Sequence, residues 1–172
     1  MRTLAVSEPM DYRTVFDIAD EGYKSWSAHG LIFVAIGCLI VAFRERLSDQ
    51  WSERPRQGSA FAFLFLGFAI LWTLVDFWGT YSEYADLRDA LSSGKASIVE
   101  GRVSQFKPMP VTGHAMERFC VETTCFEYSD FVATNGFNNT KSHGGPVREG
   151  LPVRVTYVGS AIVKLEVGRQ GH

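Results

Sequence analysis

Hydrophobic residues are concentrated in two long runs near the middle of the chain, and polar ones return in short alternating patterns after them. The first run, WSAHGLIFVAIGCLIVAF, covers Trp26 to Phe43 with His29 as its single titratable group other than Cys38. The second, GSAFAFLFLGFAILWTLVDFWGTY, covers Gly58 to Tyr81 and is interrupted near its end by Asp76. About twenty residues of helix cross a hydrocarbon layer of about 30 Å, and both runs approach that length. Neither has a charged stripe of the kind that marks a surface helix. The pattern therefore predicts two membrane-spanning helices, at 26–43 and 58–80. A leader carrying Asp17, Asp20 and Glu21 before the first run argues against a cleaved signal peptide.

Ahead of the first run, Val15, Phe16, Ala19, Gly22, Tyr23 and Trp26 recur at helical spacing. This marks 1–25 as an amphipathic segment on the outer surface, although YRTVFDI reads equally well as a strand beside the C-terminal domain. Beyond the second run, Tyr84, Leu87 and Leu91 keep helical spacing up to Ser92-Ser93-Gly94. A helical stalk over 81–95 is expected. From Ala96 the period changes to two. SIVEGRVSQF, AMERFCV, CFEYSDFV, LPVRVTYV and AIVKLEV are β-prone runs separated by glycine, proline and asparagine. Val153, Val155 and Tyr157 alternate with Arg154 and Thr156, as a strand with one buried face requires. The fold expected is a two-helix membrane hairpin followed, at 96–168, by a small antiparallel sheet or barrel of OB-like or SH3-like size.

Charge sets the expected orientation. RERLSDQWSERPRQ, residues 44–57, places Arg44, Arg46, Arg54 and Arg56 between the two runs, which by the positive-inside rule makes it the cytoplasmic loop. Both termini and the β domain then face outward. His29 and Asp76 fall together at the outer boundary, either as a proton-sensitive pair or, for Asp76, as an acid marking the helix end. The whole chain of 172 residues carries 17 basic and 19 acidic side chains, a net charge of -2. That balance offers no cationic footprint for nucleic acid. Small residues Gly30, Gly37, Gly58, Ala62 and Gly67 permit close helix packing within the hairpin or between copies.

In RFCVETTCFEY, a two-residue turn at Glu122 and Thr123 pairs Val121 with Thr124 and sets Cys120 opposite Cys125. A disulfide is feasible there if the domain is exported; in the inverted topology the thiols stay reduced. Cys38 in the first helix reads as a small packing residue. The groups able to carry chemistry are His114, Glu117 and His143, with the acids Glu127 and Asp130. No zinc-ligand spacing, cofactor motif or nucleophile elbow contains them, so no metal, cofactor or catalytic residue is expected. NGFNNTKSHGGP, which includes Asn138, is the longest polar irregular stretch and the expected location of a binding surface.

VEGRVSQF, the E-x-F-x-V strand at Glu117 to Val121, FEYSD, GGPVREGLPVRVTYVG and IVKLEV together resemble small bacterial membrane proteins of unknown function that join two helices to a β module. The resemblance covers residues 60 to 168. It implies architecture and a bacterial envelope, brings no catalytic motif, and does not include the cysteine pair. On this reading the chain is an anchored interaction or accessory protein whose partners are membrane lipid and another envelope protein or a second copy. The second reading is a ligand or metal sensor, or an enzyme, built on His114, Glu117 and His143.

Overall fold

The computed structural model describes residues 11–24, 28–43, 55–113 and 115–169. They form two compact units, 24–83 and the combination of 1–23 with 84–172. The expected 44–57 loop falls largely outside the described residues.

The first unit holds helix α2, Ala28–Ala42, and helix α3, Pro55–Ser92, up to Glu83. Leu31, Ile32 and Leu39 on α2 and Leu64, Leu71, Val75 and Trp78 on α3 are all well exposed, so both helices are apolar on their outer faces. Their contact uses small residues. A Cβ on Gly30 would sit 2.6 Å from Thr73 Oγ1, and one on Gly37 would sit 3.0 Å from Leu66 Cδ1. Seven residues forward on α2 match seven residues back on α3, so the helices run antiparallel. Ala62 and Ala69 are buried, whereas Gly67 faces open space. Cys38 is exposed, contrary to the packing role expected for it.

Only one helix among the described residues is long and apolar enough to cross a membrane, the Ala60–Ser92 part of α3, whose apolar 18-residue window has a mean hydropathy of 2.1. Helix α2 has 15 residues, about 22 Å of helix against a layer of about 30 Å. The expectation of two equivalent spans is thus met by one. The expected helical stalk continues directly from the span, since α3 runs on to Ser92. It ends where the sequence places the stop. Gly94 takes a left-handed φ of 70°, and the Lys95 and Ala96 amides donate back to the Ala90 carbonyl at 2.9 and 3.2 Å.

In the second unit, Tyr12–Asp17 is strand β1, and the short helix α1, Ile18–Glu21, follows it directly. The amphipathic-helix reading of this segment gives way to the strand reading, since β1 pairs antiparallel with the last strand. Strands β2 (Ser97–Lys107), β3 (Glu117–Val121), β4 (Thr124–Tyr128), β5 (Pro152–Val158) and β6 (Ala161–Gly168) complete a six-stranded sheet in the order β1-β6-β5-β2-β3-β4. All pairings are antiparallel.

Strand β2 shapes the sheet. Its first half, Ser97 to Arg102, pairs with β5, and its second, from Val103, pairs with β3. Between Ser104 and Lys107 the register shifts around Gln105, whose φ is 53°. A bulge of this kind bends the strand and increases its twist. The edges β1 and β4 exchange no ladder bonds, so the backbone is not a closed barrel. Side chains bridge the gap: the Phe137 ring lies 5.6 Å from Phe16 of β1 and 5.1 Å from Tyr128 of β4. Phe119, Val153, Val155, Val163 and Leu165 are completely buried beneath them, and Tyr84 and Leu87 from the end of α3 join the same core.

On the opposite sheet face, Arg154 of β5 donates to Glu100 of β2 at 2.8 Å and lies 3.8 Å from Glu166 of β6. The Tyr12 ring, opposite Gly168, lies 4.4 Å from the Arg154 guanidinium and donates its hydroxyl to Glu100 at 2.9 Å. Four neighbouring strands are thus laced by charge and one ring. The Arg154 guanidinium, assisted by the Tyr12 hydroxyl, holds the Glu100 carboxyl below the usual range.

The helix contact gives a direct test. Gly37→Ala places a methyl group 3.2 Å from the Leu66 Cα as well as against its side chain, and should cost about 1 to 3 kcal/mol through forced separation of the helices. Gly67→Ala meets nothing within 4 Å and should be neutral or slightly stabilising. Thermal unfolding of both variants in detergent distinguishes these outcomes.

Candidate functional site

The candidate residues gather where the β3–β4 hairpin meets the long connection from Ser129 to Gly150. Register places Glu117 opposite Tyr128, by the same count that sets Cys120 opposite Cys125. Glu117 has no exposed surface. A bare carboxylate in that position would carry a severe desolvation cost, and it is met by donors instead. The Tyr128 hydroxyl donates to Oε1 at 2.5 Å, the Met109 amide to Oε2 at 3.2 Å, and the Lys141 amide to both oxygens at 3.0 and 3.2 Å. Burial, followed by the bond to Glu117, raises the Tyr128 phenol far above its ordinary pKa.

Local geometry in the connection delivers the Lys141 amide. Thr140 is extended and precedes a single 3-10 turn, Lys141–His143. The His143 and Gly145 amides both donate to the Thr140 carbonyl, at 3.0 and 2.8 Å. Gly145 is obligatory there, because a Cβ would sit 2.1 Å from the Asn139 carbonyl oxygen. The Phe137 amide donates to the Ile162 carbonyl at 2.9 Å, which ties the connection to β6. A stretch with no regular structure is thus held in place from two sides.

A second cluster lies on the same turn. Asp130 Oδ2 receives the Thr140 hydroxyl at 3.0 Å and is in contact with His143 Nδ1. Thr140 Oγ1 and Ser142 Oγ lie 3.3 and 3.4 Å from that same ring nitrogen. A nucleophilic triad needs the acid on one imidazole nitrogen and the hydroxyl on the other. Here acid and hydroxyls crowd one nitrogen, so the group orders the turn and does not activate Ser142.

The expected residues therefore separate. Glu117 and His143 reach the same segment and bind different partners, the Lys141 amide for one and Asp130 for the other. Asn138 is half-buried beside Phe137. His114 lies outside the described residues. Cys120 and Cys125 are joined in a disulfide with Cα atoms 4.0 Å apart, in the expected register. Both thiols are thereby removed as metal ligands. Among the described residues, no three of His, Cys, Asp and Glu converge on a possible metal position. In the first unit, His29 and Asp76 are both exposed and lie at the same end of the antiparallel pair.

Two members of the site were not singled out from the sequence, Tyr128 and Thr140. The turn at Glu122 and Thr123 contained the signal for Tyr128, since counting back from it pairs Glu117 with that tyrosine. Nothing comparable in the sequence pointed to Thr140.

Removing the acceptor should be worse than removing one donor. Tyr128→Phe deletes a single charge-assisted bond, at about 1.5 to 3 kcal/mol, whereas Glu117→Ala orphans the phenol and two amides and should cost more. Because the folded Tyr128 phenol is raised, its contribution is complete below the unfolded value of about 10 and is lost as pH rises above it. Wild-type stability should therefore fall steeply on alkaline titration. Tyr128→Phe should fall less, keeping a residual slope from Tyr12, whose phenol is raised by burial and by Glu100. Chemical denaturation across that pH range measures both effects.

No protein-family model, curated protein or solved structure matches the chain, so the resemblance to two-helix envelope proteins rests on strand and turn spacing alone.

Proposed function

We propose that the protein is a membrane-anchored β module of the bacterial inner membrane, acting as an interaction or accessory protein outside the cytoplasm. The observation that carries this reading is the Ala60–Ser92 helix, in which 17% of the most apolar window is buried. Leu64, Leu71 and Val75 each expose 60% or more of their surface. Each such side chain would gain about 1.5 to 3 kcal/mol on leaving water, and a lipid phase supplies that gain without a protein partner. The close antiparallel approach of α2 supports a hairpin, with the arginine-rich 44–57 loop on the cytoplasmic side. An oxidising compartment on the far side accords with the Cys120–Cys125 bridge.

The connection between β4 and β5 provides the module with an exposed rim. Phe131 and Val132 are exposed there, next to the ordered His143 turn. The partner in this reading is another envelope protein or a second copy of the chain.

Orientation is tested by changing Ser48 and Gln170 to cysteine, one at a time, in a background lacking the native cysteines. An impermeant thiol reagent added from outside should label position 170 and leave position 48 untouched. Labelling of 48 alone would reverse the topology, and loss of the protein from carbonate-washed membranes would remove the anchor.

A further inference from the structure

Several arginines of this domain differ in what their guanidinium groups meet. Arg154 and Arg118 are paired with acids across the sheet, at 2.8 and 3.6 Å. The guanidinium groups of Arg13 and Arg148, in contrast, have no hydrogen-bond or ion-pair partner among the described residues, and both residues line a shared groove of about 320 Å³. Arg169 contributes a third guanidinium to its lining. Arg169 Nη1 lies 2.9 Å from Asp11, and with both side chains more than 60% exposed this is a weak rim pair that leaves most of the guanidinium available. No acid lines the groove, whose apolar wall comes from Val15, Leu151 and Val167.

The three arginines are held by backbone that the fold fixes independently. Arg13 sits opposite Val167 in the β1–β6 ladder. The Arg169 amide donates to the Asp11 carbonyl at 2.9 Å. Arg148 lies between Val147 and Leu151, which are 1% and 2% exposed, and its carbonyl accepts from the Leu151 amide at 3.2 Å across a turn closed by Gly150, φ 74°. The next residue, Glu149, turns the other way and accepts from the Phe106 amide at 2.7 Å. Three like charges on one small surface repel each other, and among the described residues only the exposed Asp11 beside Arg169 opposes them. An anion of the right shape removes that repulsion.

We propose that this groove binds the phosphate group of an ester whose substituent is apolar. A guanidinium presents a planar fork suited to two parallel bonds with an oxyanion. Three such forks offer more donors than the two oxygens of a carboxylate accept, whereas the three terminal oxygens of a phosphate monoester accommodate them. Val15, Leu151 and Val167 then cover the substituent, which free inorganic phosphate lacks. The volume is at the lower end of that of small-molecule sites. The phosphate could belong to a soluble ester or to a lipid headgroup, and the recognition chemistry is the same.

The test is isothermal titration of phenyl phosphate into the full chain in phosphatidylcholine nanodiscs. Saturable binding is expected, tighter than that of inorganic phosphate, and weakening as salt is raised. Arg13→Gln and Arg148→Gln should each reduce affinity about tenfold or more, as loss of a charge-assisted contact implies. Arg118→Gln, on β3 and paired with Glu127, should leave it unchanged. No heat with the wild-type chain, affinity indifferent to both variants, or an equal loss with Arg118→Gln would overturn the assignment. Equal affinity for inorganic phosphate would overturn its apolar half. Nanodiscs containing phosphatidic acid separate the sources: abolished phenyl phosphate binding upholds the site with a lipid headgroup as occupant, and an unchanged isotherm upholds it with a soluble ester.

Discussion

A carboxylate with no access to water must be surrounded by donors, and the donors Glu117 recruits come from three separate parts of the chain. The Tyr128 hydroxyl belongs to the partner strand, the Met109 amide to the β2–β3 connection, and the Lys141 amide to the long connection after β4. Without that acceptor, the two connections would bring buried amides into the domain with no partner, at a cost of about 1 to 3 kcal/mol each. The polar centre thus determines where irregular backbone lies, and the irregular backbone places Phe137 between the edge strands. Phe137 then closes through ring contacts a sheet that hydrogen bonds leave open.

The two units distribute their apolar residues in opposite ways. In the sheet domain, apolar residues are directed inward by strand alternation, and its outer face is laced by Tyr12, Glu100, Arg154 and Glu166. In the helical unit the apolar residues point outward, and the contact between helices is made by Gly30, Gly37, Ala62 and Ala69. This inversion suits lipid, where large side chains gain nothing by leaving their surroundings and close backbone approach provides the attraction.

Charge in the sheet domain is divided by topology. Cross-strand neighbours Glu100 and Glu166 both pair with Arg154 because the register puts them opposite it. Arg13, Arg148 and Arg169 come from the first strand, a loop and the residue after the last strand, and they line a groove with no acid among its lining residues. A net charge of -2 for the whole chain conceals this local excess of positive charge.

Periodicity alone specified much of this architecture. The change from unbroken apolar runs to alternation marked the boundary between helices and strands, since a period of two can bury only one face of a sheet. The two-residue turn at Glu122 and Thr123 fixed the hairpin register, and with it both the Cys120–Cys125 bridge and the Glu117–Tyr128 pair, because pairing in an antiparallel hairpin follows from the turn by counting. Other features depended on contacts that no local pattern encodes. The segment at Tyr12 to Asp17 fits a helix or a strand by spacing, and the free edge of β6 decided for the strand by offering it a ladder. That α2 is confined to fifteen described residues was likewise not contained in hydropathy, which registers apolar content and not where a helix ends. His143 looked like a ligand because its residue type permits it. Tertiary structure gave it Asp130 instead, since the Thr140 turn brings the imidazole to that carboxylate, and the arginine groove exists only because strand order brings the first strand beside the last.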